Sequence, residues 1–470
     1  MRRPLASALF AVVTALQVPG AAATADEPLP FKVPPGYRVT HRERIAPGVG
    51  HVRLDSARPR HVVEVGFTRP RSGYRVTVEH AGERSAGPDR DLEGTSGLCG
   101  GCAYATNGDY AWRQPSRVVG RPIGGIVERG VVLVSPDPRH QQASYTYGGG
   151  FTTKRVTWSA RVTSGRHALT VTGKNVPRDA GGLVLYTSDY VRSTGTPAAG
   201  AELTLALPGR AGNLVPNAPT TAAVVSFAEG AGDGAVRPGT VVLSGAGAQA
   251  TALRRLWNGG GRGTRVEVTE ALTPDDVWAS VGAGHILLRE GRRWLAPENA
   301  PHLTTTHPRT FAGAMRDGTL IHATVDGRER NAGRSVGMPL EEALAFFTAL
   351  GAREVINLDG GGSTTFVRAG RVVNRPSDGY ERPVTTALVV GPGRVPRHRA
   401  APPPSAPRRP RPDLPDAELA AAVWVDDAPP GTPPAPTPFV VWVATGNAGA
   451  VALAFTVLWV RRGRPLLPPA

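Results

Sequence analysis

Between about residues 36 and 393 the apolar positions fall in short runs. Each run either alternates with polar residues or is continuous, and each is closed by Gly, Pro, Asn or Asp. That is the pattern of β-strands separated by turns. His51–Leu54 reads as a short strand. His61–Phe67 and Tyr74–Glu79, joined by Arg69-Pro70-Arg71-Ser72-Gly73, read as a hairpin. From 118 to 230 the runs Gly125–Glu128, Val131–Ser135, Arg155–Val162, Ala168–Thr172, Gly182–Tyr186, Ala201–Ala206 and Thr221–Phe227 predict a mainly β module, read as an insertion. Thr240–Gly245, Arg265–Val268, Gly318–Val325 and Arg382–Val390 add strands, and Thr251–Trp257 a short helix. The clearest helix is Pro339–Leu350: Pro339 sits at its start, Glu341 and Glu342 in its first turn, Leu340, Leu344, Phe346 and Phe347 form its apolar face, and Gly351 stops it. It feeds into Arg353-Glu354-Val355-Ile356-Asn357-Leu358-Asp359-Gly360-Gly361-Gly362-Ser363-Thr364-Thr365-Phe366-Val367, a strand, a tight glycine loop and a second strand. The fold class expected is α+β: a mixed-sheet catalytic domain with few helices, a β-rich N-terminal part or insertion, and one C-terminal transmembrane helix.

The ends of the 470-residue chain carry different patterns. Residues 1–25 read as a secretory signal, with Arg2 and Arg3 before the apolar stretch Leu5–Val18 and small residues near 21–25. Residues 439–460 carry no charge and are long enough to span a bilayer; Arg461, Arg462 and Arg464 follow at once and favour a cytoplasmic tail. The expected organisation is a signal peptide (1–25), an N-terminal β-rich segment (26–96), a catalytic domain (97–393, including 118–230), a Pro-rich linker (394–438), a transmembrane helix (439–460) and a cytoplasmic tail (461–470). The expected location is the cell membrane, single-pass, with the N-terminal domain exported and the C-terminus inside.

Charge and cysteine content narrow the chemistry. The net charge is +16, but lysine occurs only at 32, 154 and 174, and the arginines are scattered beside Pro, Gly or Asp. Nucleic-acid binding needs clustered charge with interleaved aromatics, so no nucleic-acid partner is expected. Cys99 and Cys102 are the only cysteines; in an exported domain they read as a local disulfide. No second cysteine pair exists to build a zinc site, and neither a metal site nor a cofactor is expected.

Candidate chemistry gathers at strand ends. Asp359 ends an apolar strand, where a carboxylate is costly without partners or work to do. Read alone, the loop is equally a glycine-rich hairpin with Asp359 satisfied by loop N–H groups. It is not a phosphate-binding P-loop, because it lacks the lysine and does not open a helix. Asn107 and Asp109 leave a short segment just after the cysteines. His285 follows Gly282-Ala283-Gly284, whereas His140 and His167 read as surface residues. Arg309 begins a strand, well suited to an anion, and Asp326-Gly327 has the form of a turn.

In order, Asn107-Gly108-Asp109-Tyr110, Val281-Gly282-Ala283-Gly284, Pro308-Arg309-Thr310, Asp326-Gly327-Arg328, Asn357-Leu358-Asp359-Gly360-Gly361-Gly362-Ser363-Thr364-Thr365, Asn374-Arg375-Pro376-Ser377-Asp378-Gly379 and Glu381-Arg382-Pro383-Val384 resemble the phosphodiester glycosidase family, over about 105–390. The Asp-Gly-Gly-Gly-Ser-Thr-Thr element is the specific one. The resemblance implies hydrolysis of a sugar-1-phosphodiester in a glycan or glycopolymer, with water attacking the anomeric carbon. It implies catalytic roles for Asp359, Asp326, Asp109 and His285. It implies substrate contacts from Asn107, Arg309, Thr310, Gly360, Gly361, Gly362, Ser363, Thr364 and Arg382. The other readings are a surface module that binds phosphorylated glycopolymers without turnover, and a phosphodiesterase that breaks the P–O bond.

Overall fold

The computed structural model describes residues 27–82, 92–112, 120–165, 167–208, 214–230, 232–295, 301–328 and 334–396. The leader, nearly all of the Pro-rich linker, the 439–460 span and the tail lie outside them. Among the described residues no helix is long and apolar enough to cross a membrane.

Four sheets build the described part. An eight-stranded sheet runs Tyr37–Ala46, Val49–Ala57, Arg60–Thr68, Leu320–Val325, Arg309–Met315, Ala352–Asn357, Ile286–Arg289 and Arg292–Arg293. A five-stranded sheet runs Arg371–Val372, Phe366–Arg368, Tyr104–Asn107, Thr386–Pro392 and Tyr74–His80. A second five-stranded sheet contains Ile126–Glu128, Val277–Ala283 and Gln141–Thr146 at its centre. A second eight-stranded sheet is made wholly from residues 157–273. The chain leaves for it after the edge strand Phe151–Thr152, which pairs beside Gln141–Thr146, and returns at Val277, which is paired directly with Thr146.

This corrects the α+β expectation: the chain is mainly β, 47% strand against 9% helix. The reason lies in the pattern itself. Among the described residues, only Ala248–Asn258 and Leu340–Leu350 sustain a helical apolar stripe for 11 residues each; the other described runs are mostly short, closed by turn residues, and find strand partners. The Leu340–Leu350 helix forms as its sequence predicts. Gly351 is left-handed at φ 92° and returns its N–H to the Phe347 and Thr348 carbonyls. Leu340, Ala343, Leu344, Phe347 and Leu350 bury against Phe311, Met315 and Val355 of the first sheet. At roughly 1.5–3 kcal/mol for each fully buried large side chain, this face holds the helix to the strands that carry the site.

Two expectations about pairing are also corrected. Arg60–Thr68 and Tyr74–His80 do not form a hairpin. Arg60–Thr68 is flanked on both sides, by Val49–Ala57 and Leu320–Val325, so the chain crosses to another sheet and pairs with Thr386–Pro392. Likewise the strands either side of the glycine loop lie in different sheets, Ala352–Asn357 beside Arg309–Met315 and Phe366–Arg368 beside Tyr104–Asn107. The loop is a crossing between sheets. His51–Leu54 is part of a longer strand, Val49–Ala57, paired with Tyr37–Ala46.

Candidate active site

The crossing loop 358–365 is held from several sides. Leu358 donates its N–H to the Thr310 carbonyl at 2.8 Å, and Asp359 its N–H to the Gly108 carbonyl at 3.2 Å. The Asn107 side chain is fully buried and serves as a hub. Its Nδ2 donates to the Asp359 carbonyl at 2.7 Å; its Oδ1 accepts from Thr310 Oγ1 at 2.8 Å and from the Thr365 N–H at 3.1 Å. Tyr110 adds a further tie, donating its hydroxyl to the Leu358 carbonyl at 3.0 Å and accepting from Asn357 Nδ2 at 2.9 Å. Asn107 and Thr310 thus anchor the loop through each other.

The glycine turn itself is a single 3₁₀ turn, Gly361–Ser363, with Gly361 N–H bonded to the Pro308 carbonyl at 2.9 Å. A Cβ on Gly362 would stand 2.0 Å from Arg382 Nη2 and 2.3 Å from Asp378 Oδ2, so glycine there lets the Arg382–Asp378 ion pair (2.7 Å) press against the turn. The hydroxyls of Ser363, Thr364 and Thr365 are buried and have no hydrogen-bond partner in the protein, an arrangement that native interiors rarely leave without a use. Arg309 is buried beneath the turn; its Nε donates to the Met338 carbonyl at 3.0 Å and its Nη2 to the Thr305 carbonyl at 3.1 Å. His285 is half-buried, and its carbonyl accepts from the Asn357 N–H at 2.9 Å. Cys99 and Cys102 are disulfide-bonded, with their Cα atoms 5.1 Å apart, just before the Tyr104–Asn107 strand.

The three candidate aspartates are not equivalent. Asp359 is half-buried. Asp109 is 1% exposed; its Oδ2 accepts from the Gly124 N–H at 2.9 Å, while Oδ1 is buried with no partner. Burial pushes the Asp109 carboxyl up to about 7, against help for its charged form from Gly124 and His140, and the negative charge of Asp359 adds to the rise. Gly282 makes this packing possible, because a Cβ there would lie 2.4 Å from Gly124 Cα and 2.5 Å from Asp109 Oδ2. Asp326 is equally buried but well bonded: Oδ1 accepts from Asn374 Nδ2 at 3.0 Å and from the Arg375 N–H at 3.1 Å. Its carboxyl is also raised to about 7, by burial first and then by the charge of Glu64. Asn374 links Asp326 to the loop, since the same Nδ2 reaches the Thr364 carbonyl at 3.1 Å.

His140 is a residue that reading the sequence placed wrongly. It is 4% exposed, 3.7 Å from Asp137 Oδ2, and its charge bears on Asp109. The polar run Arg139-His140-Gln141 hid this, because its burial comes from the fold. The signal available was Gly124-Gly125: the Gly124 N–H donates to Asp109, and the Gly124 carbonyl accepts from the Asp137 N–H and from Gln142 Nε2.

The geometry therefore puts buried Asp109 within electrostatic reach of half-buried Asp359, which opens a loop whose Ser363, Thr364 and Thr365 hydroxyls are unpartnered, a composition suited to acid–base or charge-stabilising chemistry on a polar substrate. Residues 217–391 match the family model described as phosphodiester glycosidase, which bears out the resemblance read from the sequence. That segment contains His285, Arg309, Asp326, the glycine loop and Arg382; Asn107 and Asp109 lie before it. The chain is 34% identical over 121 residues to the SPbeta prophage-derived uncharacterized protein YomE of Bacillus subtilis (strain 168), a match spanning 22% of this chain and 18% of that protein. Among solved structures, a protein from Synechocystis aligns with a TM-score of 0.57 at 19% identity, covering 73% of this chain and 62% of its own. A protein from Burkholderia pseudomallei K96243 aligns with a TM-score of 0.56 at 22% identity, covering 71% and 74%. These two likenesses are of fold.

Proposed function

We propose, from the phosphodiester glycosidase match over residues 217–391, that this protein hydrolyses sugar-1-phosphodiesters at the anomeric carbon, releasing free sugar and a phosphomonoester. The observation that supports this reading is the electrostatic coupling of half-buried Asp359 with fully buried Asp109, in a loop that also carries the unpartnered Ser363 and Thr364 hydroxyls. A phosphomonoester is a good leaving group, so the demand falls on stabilising charge at the anomeric carbon and on activating water. Asp359 meets both demands as the ionised carboxylate that reaches the substrate. Asp109 is a positioning residue: protonated below about pH 7, it keeps the site at one carboxylate charge, which an anionic phosphodiester tolerates better than two. The hydroxyls of Ser363 and Thr364 and the positive charge of Arg309 and Arg382 take the phosphate oxygens. Asp326 and His285 frame the site from either side.

The test is turnover of an N-acetylglucosamine-1-phosphodiester by the full chain in heavy-oxygen water. The reading expects free sugar carrying the label. Label in the phosphate would replace it with P–O cleavage, and binding without turnover across a panel of sugar phosphodiesters would replace it with a glycopolymer-binding module. The leader at 1–25 and the uncharged run 439–460 support export and attachment to the membrane. A periplasm-dependent phosphatase reporter fused after Ala470 should be inactive; an active fusion would overturn the cytoplasmic tail.

A further inference from the structure

Away from this site, on the exposed edge of the first sheet, His41, Glu43 and His51 bring one donor atom each within 4.8 Å of one another. The strands fix them. Glu43 lies directly opposite His51 in the antiparallel pairing of Tyr37–Ala46 with Val49–Ala57, and His41 is two residues along on the same face. His41 Nε2 is already 3.8 Å from Glu43 Oε2. Donors of a tetrahedral zinc ion bound at roughly 2.1 Å lie about 3.4 Å apart, so little movement of two partly exposed side chains would close the gap.

The second observation is the state of His51. The ring is 2% exposed and stacks on Phe366, centroids 4.9 Å apart and 24° between planes. Its Nε2 is 2.8 Å from Oε2 of fully buried Glu64. The carboxylate accepts the proton of Nε2, which leaves the lone pair on Nδ1; that Nδ1 is buried and has no hydrogen-bond partner. A histidine whose far nitrogen is held by a carboxylate is the usual support for a metal-binding imidazole. Cations already gather here: Arg368 pairs with Glu43 Oε1, and Arg53 pairs with Glu64 Oε1 at 2.7 Å.

We infer that His41, Glu43 and His51 form a binding site for a divalent transition-metal ion of the zinc class, with Glu64 orienting His51 and with Arg368 occupying Glu43 until the ion displaces it. Two imidazoles and a carboxylate suit zinc better than calcium or magnesium, which prefer all-oxygen sites. The site is independent of the proposed hydrolase activity.

The experiment uses tag-free full-chain protein stripped with chelator and titrated with Zn²⁺ by calorimetry, with bound metal counted by mass spectrometry. The expected result is one zinc per chain and a melting temperature that rises with zinc. His41→Ala, at an exposed position, and Glu43→Gln should each weaken binding by at least roughly tenfold, about 1.4 kcal/mol, and abolish the shift in melting temperature. Arg368→Ala should bind more tightly than the parent, because it removes the competing cation. No binding, tighter binding of Ca²⁺ than of Zn²⁺, or an affinity unchanged in His41→Ala would overturn the site.

Discussion

Asp109 and Asp326 are both buried aspartates whose carboxyls sit near pH 7, yet their surroundings differ in kind. Asp326 lies in a finished network: Asn374 and the Arg375 N–H satisfy it, and the Ser335 hydroxyl closes over its own carbonyl. The Gly124 and Tyr110 N–H groups favour the Asp109 carboxylate's charge, but one of its oxygens is unpartnered and it feels the negative charge of Asp359. A raised carboxyl therefore does not by itself identify a working group. Buried structural networks raise it too, and only the unfinished one is shaped by something outside the chain.

Substitutions sharpen that contrast. The largest effect is expected at the partner of the unfinished pair. Asp359→Asn should lose roughly 10²–10⁴ in kcat while near-ultraviolet circular dichroism stays unchanged; a variant that turns over normally would remove Asp359 from the chemistry. Next comes the pH profile. With Asp109 protonated in the working form, kcat/KM should fall as pH rises through about 7, approaching tenfold per unit beyond it. Asp109→Asn, a fixed neutral mimic, should erase that limb and Asp326→Asn should keep it; the reverse pattern would exchange the two roles. The smallest effect is on stability. Asp326 has a folded-state carboxyl raised above its ordinary value of 3.8. Its protonated form is favoured by folding, so its contribution is fully present below about pH 4 and is lost as pH rises through 7. Asp326→Asn should flatten that decline in urea titrations run between pH 4 and 8. It should also cost about 1–3 kcal/mol at the low end through the disturbed bonds to Asn374 and Arg375. Equal slopes in parent and variant would sink this assignment.

Local features of the fold were legible in the chain. Leu340–Leu350 carries its own start, face and stop, and Ala201–Ala206 and Thr240–Gly245 form with the bounds their β-branched runs announce. Partners were not legible. A period of two says that Arg60–Thr68 and Tyr74–His80 are strands but not that they join different sheets, because pairing is decided by which edges remain open in three dimensions. The same limit governs the site. Asp359-Gly360-Gly361-Gly362-Ser363 announces a special loop, whereas the role of Asn107 as its anchor, 252 residues away in sequence, and the burial of His140 come only from the assembled sheets. The class was misread for a related reason: one well-formed helix beside one important strand weighed more than its share of the chain.

The direct pairing of Thr146 with Val277 bears on how this protein can change over time. Beyond the edge strand Phe151–Thr152, the residues between them, including the whole second eight-stranded sheet, leave from and return to one five-stranded sheet. To the strands that carry Asp109 and Asp359 they are a single long loop, and lengthening a loop costs only slowly growing closure entropy. Descendants of this chain are free to enlarge, trim or exchange that excursion, and so to alter what the protein meets, while keeping the strands on either side of Asp359.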